Sequence, residues 1–434
     1  MEGTDKARIV ERLRVQIQND LSAKMESAGR LSRAEQEQMV EDVVAEHMSY
    51  MHDLDGDAVA ALKEAILDDF LGFGLIQPYI DDPAITEIMV NGHAEVYVER
   101  GGKLYKVAGA GCEREALFPD DDAVRRLISK ILLPLGRRCD EQHPYVDARL
   151  PDGSRVNAIL PPVSLNGPCI TIRKFSTKRV TALNYVEWGA ASADMMRFLN
   201  FAVASKCNVI VSGGTGSGKT TLLNALSAAI PADERIITIE DSAELRLGQP
   251  HVLKREARPA NSEGRGAVTI HDLLVNALRE RPDRIIVGEC RSTEALEMLQ
   301  AMNTGHDGSM TTVHANDPHG AFQRIETMVM ECSNLSNRAI RQQIVTAVDI
   351  VVQVSRFSDG SRKISEICAV TGMEGEQIVL QPLFEFAGIH VDDGKVMGEH
   401  RACGFQPPKG VISKFAAAGI PFDPSWFMRK DGAR

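Results

Sequence analysis

The sequence predicts an α/β protein in which a helical N-terminal extension and a small α+β domain precede a larger domain built on a mostly parallel sheet. Three features of the 434 residues predict this class. Apolar residues recur at three- and four-residue spacing through the first seventy positions, as on one face of a helix. Short β-like segments separated by glycine turns begin at Ile85. After residue 191, apolar strands alternate with helix-forming runs, which is typical of a parallel sheet.

These changes of pattern give the domain boundaries. We assign residues 1–72 to the helical extension, 73–177 to the small α+β domain, 178–191 to a linker and 192–434 to the larger domain with a C-terminal extension. The length suits two or three domains. With 44% hydrophobic and 25% charged residues, the chain has an ordinary globular composition and can bury a sizeable core.

The extension is predicted to form helices at 7–25, 34–51 and 57–70, where leucine, valine, glutamate and arginine are frequent. Gly29 and the stretch 53–56 interrupt the pattern and separate these helices. We interpret the region as a docking or oligomerisation surface without chemistry of its own.

In the small domain, strands and turns alternate. The dipeptides Asn91-Gly92 and Gly101-Gly102 are hairpin-type turn signals, and residues 121–132 have the pattern of a helix. Strands are predicted at 88–90, 96–99, 104–107, 148–150, 155–159 and 169–175.

The larger domain is predicted to contain strands at 208–211, 235–239, 284–287 and 310–313, and helices at 269–281 and 292–302. Asp317 and Pro318 begin a further helix, as an N-cap followed by proline at its first position. Strands at 350–355 and 362–370 flank Asp359-Gly360, a hairpin turn signal. No element is predicted after about residue 388.

Composition weighs against several functional classes. The formal net charge of −11 disfavours a nucleic-acid-binding protein. The eight cysteines include no C-x-x-C pair, so neither a zinc site nor a disulfide framework is indicated. The N-terminus lacks the apolar core of a signal peptide, and no apolar run reaches the length of a membrane-spanning helix. We expect a cytoplasmic protein without direct membrane insertion.

A glycine-rich segment follows the first strand of the larger domain and precedes a run of helix formers. It fits the pattern G-x-x-x-x-G-K-[ST] at every fixed position with Gly213, Gly214, Thr215, Gly216, Ser217, Gly218, Lys219 and Thr220, and Thr221 follows as a further nucleotide-binding residue. Glycines allow successive backbone N–H groups to turn toward phosphate oxygens, and the helix N-terminus adds its positive dipole end. Lys219 is expected to reach the β- and γ-phosphates and the Thr220 hydroxyl to ligate Mg²⁺. The segment therefore predicts a P-loop that binds ATP with Mg²⁺.

A P-loop needs a carboxylate opposite the phosphates. The predicted strand 285–287 runs into Gly288, which permits close approach, and then Glu289. In a parallel sheet this strand end lies at the edge that carries the P-loop. Glu289 is our candidate for the group that polarises the attacking water, directly or as a ligand of Mg²⁺.

A second strand, 236–239, also runs into acidic residues. Glu240 and Glu244 are assigned supporting catalytic roles, and Asp241 is interpreted as a turn cap. Asp283 precedes its strand and is interpreted as a turn residue.

Residues 304–316 contain His306 and His314 on either side of a strand rich in small polar residues. A metal-binding pair is one interpretation. Neither a cysteine nor a third histidine lies close enough in sequence to strengthen it.

Together these motifs resemble the secretion ATPase superfamily, which includes type II and type IV secretion ATPases, type IV pilus motors and archaeal flagellar ATPases. The P-loop, the acidic segment 238–244, the segment 281–289 and the histidine segment carry this resemblance. A finer resemblance to the CpaF family of Tad (Flp) pilus ATPases rests on residues 85–92, 146–157, 172–175 and 299–309. The resemblance implies a RecA-like P-loop NTPase core.

The resemblance also implies a homohexamer in which nucleotide binds between the small domain and the RecA-like domain, and coupling to an inner-membrane platform protein. Arginines from the small domain and from a neighbouring subunit would complete the site, where an arginine brought in by closure stabilises charge on the transferring phosphoryl group. The matching positions are Arg149, Arg155, Arg173 and Arg279. His306 and His314 would sense the γ-phosphate rather than bind a metal.

We therefore expect a cytoplasmic ATPase, held at the inner membrane through partners, that powers assembly of a Tad pilus, with retraction as a further option. The sequence lacks the four-cysteine zinc module typical of type II secretion and type IVa pilus extension ATPases, which favours the Tad branch. One alternative is a type IV secretion ATPase that drives substrate export. Others are a RecA-like nucleic-acid translocase, which the acidic composition disfavours, and a nucleotide-binding regulator or scaffold without turnover.

Overall fold

The computed structural model describes residues 16–17, 20–21, 23–24, 33–48, 63, 66–67, 72–175, 180–258, 260 and 265–429. The chain divides into two compact units, Met1–Ser176 and Thr177–Arg434. The helices predicted at 7–25 and 57–70 lie largely outside the described residues. The segment predicted as a linker, 178–191, contains the helix Ala182–Glu187.

The N-terminal part of the first unit is helical. Helix α1, Arg33–Met48, corresponds to the helix predicted at 34–51. Val40 and Val43 of α1 are fully buried in an apolar cluster with Ile17, Leu21 and Ile66. Removal of these side chains from water stabilises the helix, because a helix of this length depends on packing of its apolar face.

The remainder of the first unit is an antiparallel sheet covered by a helix. Its elements are α2, Gln77–Asp81; β1, Ile85–Asn91; β2, Glu95–Arg100; β3, Lys103–Ala108; α3, Asp121–Leu132; β4, Tyr145–Arg149; β5, Arg155–Ile159; and β6, Cys169–Arg173. The strand order is β3-β2-β1-β6-β5-β4. Helix α3 begins after Asp120, whose carboxylate accepts a hydrogen bond from Ala123 N at 2.7 Å. Its apolar face packs on the sheet, and the predicted helix at 121–132 is confirmed.

The second unit alternates helices and strands before it ends in long hairpins. Its elements are α4, Ala182–Glu187; α5, Ala193–Ala204; β7, Val209–Gly213; α6, Lys219–Ser227; β8, Ile236–Glu240; β9, Val252–Glu256; α7, Ile270–Ala277; β10, Arg284–Cys290; α8, Glu294–Asn303; β11, Met310–His314; α9, Pro318–Cys332; α10, Asn337–Ala347; β12, Ile350–Arg356; β13, Arg362–Glu374; β14, Gln377–Asp392; β15, Lys395–Ala402; and α11, Lys409–Ala417.

One sheet runs through this unit in the order β15-β14-β13-β12-β7-β11-β10-β8-β9. The strands from β12 to β9 in this order are parallel, and the hairpins β13, β14 and β15 extend the sheet with antiparallel pairs. The central strand β7 pairs Gly213 with His314 on one side and with Val354 on the other. The carboxyl ends of the parallel strands therefore meet at one edge, where β7 leads into the glycine-rich segment.

Helices cover both faces of this sheet with apolar side chains. One face contains a cluster of phenylalanines from distant parts of the chain. Phe198 of α5 lies 5.1 Å from Phe427, between ring centroids, in an edge-to-face arrangement, and Phe384 of β14 lies 5.2 Å from the same ring. Phe415 of α11 stacks on Phe198. All four are at most 2% exposed, so the C-terminal segment is part of the core.

Polar contacts fix the opposite edge of the sheet, where the parallel strands begin. The Asn208 side chain accepts hydrogen bonds from Gly308 N and Ser309 N and donates to Ala347 O. Lys414 Nζ of α11 lies 2.7 Å from Asp349 Oδ2 and 3.0 Å from an oxygen of Asp307. These contacts join the C-terminal helix to the starts of β7, β11 and β12.

The predicted α/β class and the N-cap at Asp317 are confirmed: the Asp317 carboxylate accepts from Gly320 N at 2.8 Å. Helix α7 ends at Ala277, before the predicted end at 281, and Arg281 takes a positive φ of 55° in the turn before β10. The sequence patterns missed α2, α4, α5, β9, α10, β14, β15 and α11. Among the described residues, no helix combines the length and apolar character needed to cross a membrane.

Candidate active site

The glycine-rich segment forms a turn between β7 and α6, as the sequence predicts. Gly216 and Gly218 have φ values of +68° and +96°, which only glycine adopts readily. A Cβ at Gly213 would lie 2.4 Å from Val354 O and 2.5 Å from Ser217 Oγ, so this position also requires glycine. Thr220 and Thr221 follow in the first turn of α6. The segment therefore has the backbone form of a phosphate-binding loop.

Lys219 begins α6 and is 7% exposed. Its Nζ donates to Gly214 O at 3.1 Å, so the ammonium lies against the loop. Burial lowers the pKa of Lys219, and the nearby Glu289 carboxylate opposes this effect. The structure thus brings together Lys219 and Glu289, the two residues that the sequence placed on opposite sides of the phosphates.

Glu289 lies near the end of β10, two strands away from β7. Its Oε2 accepts a hydrogen bond from Arg291 Nη2 at 2.9 Å, and its Oε1 lies 3.9 Å from His314 Nε2. Burial and the neighbouring Lys219 ammonium lower the pKa of His314 below 6.5, so the ring is neutral at pH 7. A carboxylate held by an arginine beside a neutral imidazole can orient a water molecule and accept its proton.

Arg291 is a site residue that sequence reasoning missed. Besides Glu289 it binds Asp241, with Nη1 3.1 Å from Oδ2, so Asp241 pairs with an arginine here. The hydrogen bond that Arg291 donates to Glu289 raises the pKa of Arg291, and the charges of Asp241 and Glu244 add to this. The sequence feature that could have identified Arg291 is its position two residues after Glu289, the candidate base.

Glu240 is 3% exposed, and its carboxylate accepts hydrogen bonds from Glu244 N and Leu245 N at 2.9 and 3.0 Å. It therefore fixes the loop that follows β8. Its side chain lies against Gly288, where an added Cβ would be 2.9 Å from Glu240 Cγ. The absence of a side chain at Gly288 therefore allows the Glu240 side chain to approach this backbone closely.

Two of the predicted site residues lie in the second unit but away from the P-loop. His306 is in the turn before β11, and Arg279 is in the turn that follows α7 and precedes β10. Both positions are at the edge where the parallel strands begin, opposite the glycine-rich turn. The structure does not bring either side chain to the P-loop of its own subunit, so their assigned roles stay predictions. His306 precedes β11 and His314 ends it, and the four residue steps of this strand span roughly 13 Å, so the two histidines do not form a metal-binding pair.

Three predicted arginines lie in the first unit and form a row. Arg149 pairs with Arg155 across β4 and β5, and Arg155 pairs with Arg173 across β5 and β6. The next residue along the row is Glu87, which pairs with Arg173. Three positively charged residues are therefore adjacent in this sheet, and like charges at such positions repel one another and attract an anion.

The edge that carries the P-loop fits a magnesium nucleotide. Mg²⁺ prefers oxygen ligands and binds through one or two protein groups together with phosphate oxygens. The Thr220 hydroxyl and the Glu289 carboxylate are the donors that would hold it. The glycines leave the loop backbone open to phosphate, and Lys219 supplies a cation beside it.

Comparisons with known proteins identify the family to which the chain is similar. Residues 70–384 match the family described as "Type II/IV secretion system protein". VirB11 of Brucella suis is 34% identical over 338 residues, covering 71% of this chain and 91% of that protein. A crystal structure of the VirB11 ATPase from the Brucella suis type IV secretion system is 31% identical, covers 68% of this chain and 95% of that chain, and has a TM-score of 0.38. The Yersinia pseudotuberculosis ATPase DotB has a TM-score of 0.50 at 17% identity, over 71% and 80% of the two chains, which shows a shared fold.

Proposed function

The chain belongs to the type II/IV secretion system ATPase family and is an ATP hydrolase, and we propose that it is the hexameric motor that powers assembly of a Tad pilus. One observation carries the catalytic part of this proposal. The Glu289 carboxylate, held by Arg291 beside His314, lies near Lys219 of the P-loop. This is the arrangement that hydrolysis of a bound triphosphate requires.

In the proposed mechanism, the loop N–H groups and Lys219 bind the phosphates, and Glu289 orients the attacking water and accepts its proton. Arg291 holds the carboxylate in position. Mg²⁺, when bound through Thr220 and Glu289, offsets the negative charge of the phosphates. The arginines Arg149, Arg155 and Arg173 add positive charge as the subunits close, which makes hydrolysis depend on subunit position.

The pilus assignment rests on residues 85–92, 146–157, 172–175 and 299–309, which resemble CpaF-type ATPases. In this proposal the hexamer lies in the cytoplasm and transmits its movement to an inner-membrane platform protein, with retraction as a second direction. A type IV secretion ATPase that drives substrate export is the second candidate, because VirB11 of Brucella suis shares 34% identity with this chain.

The test uses a strain from which this protein has been deleted. The wild-type chain, Glu289→Gln or Lys219→Ala is expressed in that strain. If the proposal holds, the wild-type chain restores surface pili and neither variant does. If pili form without the chain while export of a secreted substrate stops, the secretion motor is the correct assignment. The same strains thus separate the two candidates.

A further inference from the structure

The turn between β12 and β13 brings an arginine to the outer side of the P-loop. β12 lies beside β7 and pairs Val354 with Gly213, so the residues that follow leave the sheet next to the loop. Arg356 and Arg362 stand opposite each other on this hairpin. Arg362 Nε donates to Gly216 O at 2.8 Å. The sequence motifs did not identify either arginine.

The hydrogen bond from Arg362 to Gly216 O acts on the part of the P-loop that has the greatest conformational freedom. Gly216 and Gly218 both have left-handed backbone conformations, and glycine-rich segments have many alternative states. A P-loop binds phosphate through N–H groups that point inward, so its carbonyl groups must point outward. The bond from Arg362 holds the Gly216 carbonyl, and Arg362 Cδ lies 3.4 Å from the position of a Cβ at Gly218.

The turn that carries Arg362 is itself well fixed. Phe357 N donates to Ser361 O, and Asp359 accepts from Ser361 N at 2.9 Å. The second oxygen of Asp359 accepts from Val396 N of β15 at 2.8 Å. Because its support is already ordered, Arg362 loses little conformational freedom when it binds the loop.

We propose that Arg362 is a positioning residue for nucleotide binding: it holds the Gly216 carbonyl outward, so that the loop amides face the phosphates. The inference rests on the ATP chemistry proposed for this loop. Arg362 acts through Gly216 and takes no part in the chemical step. Its loss should therefore weaken binding of substrate and transition state alike, and so raise KM without lowering kcat.

The experiment uses three replacements of Arg362 in the full chain. Arg362→Met removes both the donor and the charge. Arg362→Gln has an amide nitrogen at the place of Nε and keeps a neutral donor, whereas Arg362→Lys keeps the charge but ends one bond further out. The matched control is Lys363→Gln, because Lys363 is the next residue and donates instead to Gly189 O. Binding of ADP is measured by calorimetry, and KM and kcat by ATP turnover.

Arg362→Met should raise the Kd for ADP and the KM for ATP about 3- to 10-fold, as loss of one hydrogen bond predicts, with kcat near the wild-type value. Arg362→Gln should restore most of the affinity, and Lys363→Gln should bind like the wild type. Unchanged ADP binding in Arg362→Met would overturn the inference, as would recovery with Lys but not with Gln. Absence of ADP binding in the wild-type chain would instead overturn the ATPase function, so the two failures are distinguishable.

Discussion

The side chain of Glu240 fills the space beside Gly288: a Cβ added at Gly288 would lie 2.9 Å from Glu240 Cγ. Gly288 directly precedes Glu289, and Glu240 binds the backbone of Glu244 and Leu245. The acidic ends of β8 and β10 are therefore packed against each other.

Substitution of Gly288 by Ala should push Glu240 out of this position. We expect a loss of about 1–3 kcal/mol in the free energy of unfolding, as for an extra methyl group in a packed site, together with reduced ATP turnover. Denaturant midpoints and turnover rates measure the two effects. Gly410→Ala is the control, because nothing lies within 4 Å of a Cβ there. Equal stability of the two variants would contradict the packing argument.

Glu289→Gln should retain ATP binding and lower kcat by about 10²- to 10⁴-fold, because an amide still accepts the bond from Arg291 but cannot accept a proton from water. Turnover and nucleotide binding measured on the same preparation check this. Asp241→Asn provides the comparison, since Asp241 is the other carboxylate bound to Arg291. A similar loss of kcat in both variants would remove the special role of Glu289.

Lys414→Met should destabilise the second unit in a pH-dependent manner. Burial raises the pKa of Asp349, and the Lys414 ammonium opposes this. Without Lys414 that pKa rises further, and at pH values above it the ionised Asp349 carboxylate lacks the ammonium that offsets its charge. We expect a loss of about 1–3 kcal/mol at pH 7.

The loss in Lys414→Met should shrink as pH falls through the folded-state pKa of Asp349, because protonation removes the uncompensated charge. Unfolding midpoints at pH 7 and pH 5 measure the change. Lys409→Met, at the exposed first residue of α11, should show neither effect. A loss that grows as the pH falls would mean that Asp349 is not responsible.

Arg155→Gln should relieve charge repulsion in the first unit and lower ATP turnover. Arg155 stands between Arg149 and Arg173 in the row, and removal of one of three adjacent like charges relieves about 0.2–1 kcal/mol of repulsion. The gain should diminish in high salt, which screens these charges. Thermal unfolding at two salt concentrations is the measurement. A stability difference that is the same at both salt concentrations would rule out the repulsion.

Local patterns in the sequence predicted the elements that carry the P-loop and Glu289, because a strand, a turn and a helix there follow directly in the chain. They also predicted the turn at Asp359-Gly360. They could not show that Arg362, which borders that turn, binds Gly216, since 146 positions separate the two.

The same limit applies to other parts of the structure. The residues around Arg291 form no recognisable motif. Its role depends on contacts with Asp241, which follows β8, and with Glu289 of β10, and the fold brings these two residues together. The strands β14 and β15 were missed because glycines and turn residues interrupt their patterns, while pairing with β13 holds them in the sheet.

The match to the family ends at residue 384, within β14. Phe384 stands at that boundary, and its ring contacts include Phe427, which lies beyond it. Truncation at the boundary would delete Phe415 and Phe427 and expose the faces of Phe198 and Phe384 that they cover. A shortened form of this protein must therefore keep the chain through α11 and on to Phe427, whatever the extent of the shared motif.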